Sequence, residues 1–140
     1  MAEQEILRED GPVRRGPRVL SVGYLVGELR KRNQRLQEAG FAVDSASRPN
    51  DAFALAKANP YNCAVFGAAV PEPIRNGISA VVREKNPDAV IVMLYWTGIQ
   101  NTELADAVLH VNTSDHDLQN ILKHLLIMRS GAPAEERPTA

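Results

Sequence analysis

The sequence predicts an α/β protein built on an open, doubly wound, five-stranded parallel sheet. Three observations carry that prediction. Short β-branched runs alternate with helical stripes along the chain. The run "AVIVMLY" (89–95) is apolar on both faces, as a central parallel strand covered by helices on each side must be. Glycine and proline punctuate the runs where strands and helices should end.

"RVLSV" (18–22) is the first strand. Residues 25–40 follow with apolar positions at Leu25, Val26, Leu29, Leu36 and Ala39, which line one face of a helix. Gly40 falls where a left-handed C-terminal cap belongs. "FAVDSA" (41–46) is a second strand. Pro49 opens a short helix over 49–59, since a first-turn proline loses no needed N–H, and Pro60 ends it. "CAVFGA" (63–68) is the third strand. "NGISAVVREKN" (76–86) is the third helix, stopped before Pro87. After the 89–95 strand, a short fourth helix around 100–105 and a fifth strand over 107–111 are expected. The last helix begins after Ser114, whose Ser–x–x–Asp pattern with Asp117 supplies a cap and a first-turn carboxylate. Leu118, Ile121, Leu122, Leu125 and Leu126 form its apolar stripe.

The chain has 140 residues, 44% of them hydrophobic and 24% charged, which suits one folded unit over 18–129. Residues 1–17 and 130–140 are rich in glycine, proline and charge and are expected to be flexible arms, too short for a separate DNA-binding domain. A net charge of −1 gives no global attraction to nucleic acid or anionic membrane. No apolar run approaches the roughly 18–20 residues that span a bilayer. The single cysteine, Cys63, lies within an apolar run, so it is expected in the core of a cytoplasmic protein.

Ligands of doubly wound sheets bind beyond the carboxyl ends of the strands. Those ends are Val22–Gly23–Tyr24, Phe66–Gly67, Leu94–Tyr95–Trp96 and His110–Val111–Asn112. Any site is therefore made from these residues.

The segments "RVLSV", "LQEAGFAVDSASRPNDAFALAKANPYNCAVF", "AAVP", "REKNPDAVIVML" and "DLQNILKHLL" resemble the receiver domain of the bacterial response-regulator family over residues 18–128. The resemblance implies a flavodoxin-like (βα)5 fold with a shortened fourth helix, because only 16 residues separate Tyr95 from Val111. In the family that helix, the fifth strand and the fifth helix form the usual docking face. The resemblance also implies a phosphorylation pocket, and here the chain departs from the family. The acidic pair that holds a divalent cation falls on Gly23 and Tyr24, and the phosphate-accepting aspartate on Gly67. The hydroxyl residue ending the fourth strand becomes Tyr95, and the lysine ending the fifth becomes Val111.

Phosphoryl transfer needs an in-line nucleophile and cations to absorb charge on the oxygens, and magnesium needs carboxylate ligands. These positions offer none, so no aspartyl phosphorylation, no metal and no cofactor are expected. A lysine left behind without its aspartate would be a buried unpaired charge, so the joint loss is coherent. The expectation is a crevice of neutral side chains, with Tyr95 and Trp96 filling it and Trp96 closer to core than to surface.

Other signals are weaker. "GYLVG" (23–27) lacks the middle glycine of a dinucleotide fingerprint and the P-loop lysine, and Tyr24 and Leu25 would obstruct phosphate. His110, His116 and His124 have no metal-pair spacing. "RKRNQR" (30–35) is expected to be a solvated basic face.

The sequence thus points to a non-enzymatic pseudo-receiver, a phosphorylation-independent protein–protein interaction or dimerisation module in bacterial signal transduction. The candidate interaction surface is Trp96, Thr97, Ile99 and His110. The expected partner is a protein, with a second copy of the chain among the candidates, and neither nucleic acid nor membrane. The alternative is a small-ligand sensor with a concave pocket lined by Gly23, Gly67 and Tyr95. An enzyme would have only Tyr24, Tyr95 and His110 to work with.

Overall fold

The computed structural model describes residues 16–96 and 104–129. Five strands and four helices follow one another in these residues: β1 (Arg18–Val22), α1 (Val26–Glu38), β2 (Ala42–Ala46), α2 (Pro49–Ala58), β3 (Cys63–Phe66), α3 (Glu72–Lys85), β4 (Val90–Tyr95), β5 (Ala107–His110) and α4 (Asp115–Arg129). All strand pairings are parallel, in the order β2-β1-β3-β4-β5. The chain reverses direction across the sheet between β1 and β3, which places a crevice at their carboxyl ends. Residues 100–103 of the fourth helix expected around 100–105, and most of the two arms, fall outside the described residues, while Leu104 and Ala105 are described and are not helical.

Two apolar layers sandwich the sheet. On one face Leu20, Val22, Ala64, Phe66, Ile91 and Met93 pack against Ala52 and Ala56 of α2 and Ile78 and Val82 of α3. On the other, Val19, Val43, Cys63, Val65, Val90 and Val92 pack against Leu36 of α1 and Leu118 and Leu122 of α4. The strand period of two sends alternate residues to opposite layers, which is why β3 and the start of β4 are wholly buried. Each fully buried aliphatic side chain contributes roughly 1.5–3 kcal/mol of hydrophobic free energy. Cys63 lies in this core, fully buried, and burial pushes its thiol up to about 12, with the Asp106 carboxylate adding to the effect.

Local chemistry explains the ends. Gly40 takes φ +99° after α1, a conformation a β-carbon would oppose. Ser114 accepts a hydrogen bond from the Asp117 amide at 3.0 Å, capping α4. The third helix begins at Glu72, earlier than the expected 76. Pro73 sits in its first turn, where no N–H is required, and the Glu72 carboxylate favours the positive end of the helix. Within α3, Gly77 lets α2 approach: a β-carbon there would lie 3.0 Å from the Phe53 ring.

The amino-terminal edge of the sheet is fastened by Asp106. Its carboxylate accepts from Arg83 at 2.6 Å and from the Ile91 amide at 2.8 Å, while its own amide donates to the Ile91 carbonyl at 2.7 Å. Arg129 of α4 adds an ion pair at 3.6 Å. This clamp fixes the start of β5 against β4 and ties in two helices. No helix of the described residues is long and apolar enough to cross a membrane.

Candidate functional site

The carboxyl ends of β1 and β3 carry no side chain where they meet: Gly23 follows β1 and Gly67 follows β3. The Gly67 amide donates to the Val22 carbonyl at 2.8 Å, so the two strand ends are held together by backbone. The space above them is filled from α1. Arg32 lies three residues after Leu29 and four before Leu36, on the same inward stripe, and all three are buried. Its side chain runs back over the sheet. Nε donates to Ser21 Oγ at 3.1 Å and Nη2 to the Val22 carbonyl at 2.8 Å.

The glycines are what admit the guanidinium. A β-carbon on Gly23 would lie 3.3 Å from Nη2 and 3.4 Å from Leu29 Cδ1, tighter than ordinary contact. A β-carbon on Gly67 would lie 3.5 Å from Nη1. Neither glycine has a backbone conformation that demands it, since Gly40 alone among the described glycines has positive φ. Their smallness is a matter of space for Arg32. Burial lowers the Arg32 pKa to about 10, with Glu28 and Asp115 opposing the shift through their charge. Asp115 is itself engaged by Arg35 at 3.6 Å. At neutral pH Arg32 is therefore a charged group in a largely desolvated place.

The crevice thus holds a buried cation, with Glu28 also on its wall, which corrects the expectation of one lined by neutral side chains. "RKRNQR" is not one solvated face either, because Arg32 turns inward while Arg30, Lys31 and Arg35 are exposed. Tyr95 and Trp96 do not fill the crevice. Tyr95 meets His110 edge to face, with centroids 5.4 Å apart, and Trp96 is 49% exposed. The signal that marks Arg32 in the sequence is its register between Leu29 and Leu36, combined with glycines at both facing strand ends.

Gly23, Tyr24, Gly67 and Val111 do come together, lining one cleft with Arg32, Leu25, Leu94 and Trp96. Its volume is about 40 Å³, far below the roughly 300 Å³ at which pockets for drug-sized ligands begin. Tyr95 does not line it, so the concave pocket expected of a small-ligand sensor is not formed as drawn from the sequence. A wider open groove of about 650 Å³ adjoins it along α1 and the β5–α4 turn, with Lys31, Glu28, His110 and Asp115 on its walls. Thr97 and Ile99 lie outside the described residues.

A second arginine approaches the strand ends from the opposite layer. Arg75 of α3 is buried and points Nη1 at the Leu94 carbonyl, at a long 3.5 Å. Burial lowers its pKa, with Glu72 opposing.

The residues present do not fit magnesium. Gly23, Tyr24 and Gly67 bring no carboxylate, and no cluster of three or more histidine, cysteine or acidic side chains able to hold a metal occurs among the described residues. The Arg32 guanidinium, beside the Gly67 side-chain position, would repel a divalent cation.

No family model matches the chain, and no curated protein matches it. Solved structures do. The chain is similar to a response regulator receiver domain protein (CheY-like) of Methanospirillum hungatei, with TM-score 0.72 and 20% identity, covering 83% of this chain and 98% of that one. It is similar to the Thermotoga maritima response regulator TrrA in complex with magnesium and beryllofluoride, with TM-score 0.65 and 20% identity over 78% and 98% of the two chains. It is also similar to the receiver domain of a Pseudomonas aeruginosa sensor histidine kinase whose active-site cleft coordinates magnesium, with TM-score 0.67 and 16% identity over 80% and 98%. The fold is that of CheY-like response-regulator receiver domains, a flavodoxin-like arrangement. At these identities the likeness speaks for the fold.

Proposed function

We propose that this chain is a pseudo-receiver: a receiver-fold module of bacterial signal transduction that works by protein–protein contact and independently of phosphorylation. One observation carries the reading. Where two of the three solved neighbours named above are described with magnesium, this chain presents Gly23, Gly67 and a buried arginine. A fixed guanidinium replaces both the nucleophile and the metal ligands, so the crevice has one charge state at physiological pH. Its contacts to Ser21 and Val22 tie α1 to β1 permanently. A protein with no chemistry in its crevice is read by its surface. The exposed Trp96 beside His110 and the open groove supports a partner-facing role for that edge, since aromatic anchors dominate interface energetics. The proposed setting is the cytoplasm, and the partner a protein, with self-association as one form of it.

The reading is tested by incubating the purified chain with acetyl phosphate and magnesium and measuring its intact mass. The expected result is no phosphate adduct and no magnesium-dependent change in amide NMR shifts around Gly23 and Gly67. An aspartyl-phosphate adduct overturns it.

A further inference from the structure

We infer that the cleft between Gly23 and Gly67 is a binding site for one compact monoanion, a halide or a small carboxylate, held by the free edge of Arg32. A guanidinium offers five N–H donors in a fixed fork. Nε is committed to Ser21 Oγ and one Nη2 hydrogen to the Val22 carbonyl. Nη1 makes no hydrogen bond among the described residues. It faces the side-chain volume of Gly67, 3.5 Å from where a β-carbon would stand.

No carboxylate among the described residues forms a salt bridge with this cation, although Glu28, which lines the same cleft, and Asp115, which pairs with Arg35, favour its charged form. A buried charge of this kind is strongly destabilising unless something compensates it. Arg32 is 9% exposed, and Nη1 is not among the side-chain nitrogens shut off from solvent without a partner, so it can be reached through the cleft. The cleft of about 40 Å³ has room for an ion close to a water molecule in size and none for a nucleotide. Its walls include Gly67, Ala68, Ala69 and Leu25, and Glu28 is the one acidic group on them. Charge and donor geometry select an anion, and on the Gly67 side of Arg32, which also borders the wider groove, the room selects a small one.

The inference goes beyond the pseudo-receiver reading, which stands whether or not an ion binds. Its test is a melting series in sodium formate, sodium chloride and sodium gluconate at matched ionic strength, with Trp96 fluorescence as a second readout. Gluconate is too large for the cleft and serves as the reference. Three proteins are compared: wild type, Gly67→Asp and Arg32→Met. Aspartate at 67 supplies a tethered carboxylate beside Nη1. Wild type is expected to show a saturable rise of a few degrees in Tm in formate or chloride over gluconate, and saturable Trp96 emission changes. The salt that gives the larger rise identifies carboxylate or halide. Gly67→Asp is expected to melt higher than wild type in gluconate and to show no formate or chloride increment. Arg32→Met, where it folds, is also expected to be insensitive. Equal wild-type Tm in all three salts overturns the proposal, as does a Gly67→Asp increment equal to that of wild type.

Discussion

Nη1 of Arg32 stands 3.5 Å from the point where a side chain on Gly67 would begin. The crevice is therefore not a receiver pocket with parts missing. Where the ends of β1 and β3 meet, it holds a tethered cation from α1 and no carboxylate from the strand ends themselves.

An aspartate placed at position 67 should not become phosphorylated. The new carboxylate meets Arg32 at ordinary contact distance and pairs with it, so it is neither free to attack nor supplied with a metal. Gly67→Asp is expected to gain no phosphate from acetyl phosphate by intact-mass measurement. It should raise the urea midpoint, by about 1–2 kcal/mol of stability. Phosphorylation of this single variant would show that Arg32 does not control the crevice.

Cys63 gives a pH prediction. Its thiol is held up to about 12 against an ordinary 9.0, so the folded chain keeps the proton that the unfolded chain releases. That contribution to stability is fully present below pH 9 and is lost as pH rises from 9 toward 12, with a slope approaching about 1.4 kcal/mol per pH unit. Stability measured by urea unfolding from pH 8 to 10.5 should fall more steeply for wild type than for Cys63→Ala. At pH 8, Ellman's reagent should label Cys63 only when urea is present.

Asp106 should matter to the fold more than any surface acid. It holds Arg83 at 2.6 Å, accepts from Ile91 and pairs with Arg129. Asp106→Ala leaves two arginines and an amide without their acceptor, and is expected to lower stability by about 2–4 kcal/mol. Hydrogen exchange should show the loss concentrated in β5 and the end of α4. Exchange that rises uniformly across the sheet would argue against a local clamp.

Trp96, half exposed at the sheet's carboxyl edge, should separate stability from recognition. Trp96→Ala is expected to change the unfolding free energy by less than about 1 kcal/mol. It should also reduce recovery of specific partners, or the self-association constant in sedimentation, at least tenfold. Unchanged association would move the partner-facing edge elsewhere.

Most of the fold was legible because it rests on local periodicity. The runs at 63–66 and 90–95 are apolar on both faces, and the stripes of α1 and α4 follow the helical period, so the parallel order of layers follows from pattern alone. The start of α3 was misplaced because Pro71 and Pro73 look like breakers, although a helix tolerates proline in its first turn. In the site, Gly23, Tyr24, Gly67, Tyr95 and Val111 were visible as strand-end residues, and all but Tyr95 line the cleft. What filled the space was not, because Arg32 sits in a basic run whose other members are solvated, and its inward turn depends on tertiary room left by two distant glycines.

The Asp106 fastening has one more effect. Because Asp106 and Ile91 grip each other through both backbone and side chain, the register of β5 on β4 is pinned at the residue just before the strand begins. Without that carboxylate the outermost strand would be free to slip along its neighbour, turning inward side chains out and opening the edge of the sheet to foreign strands.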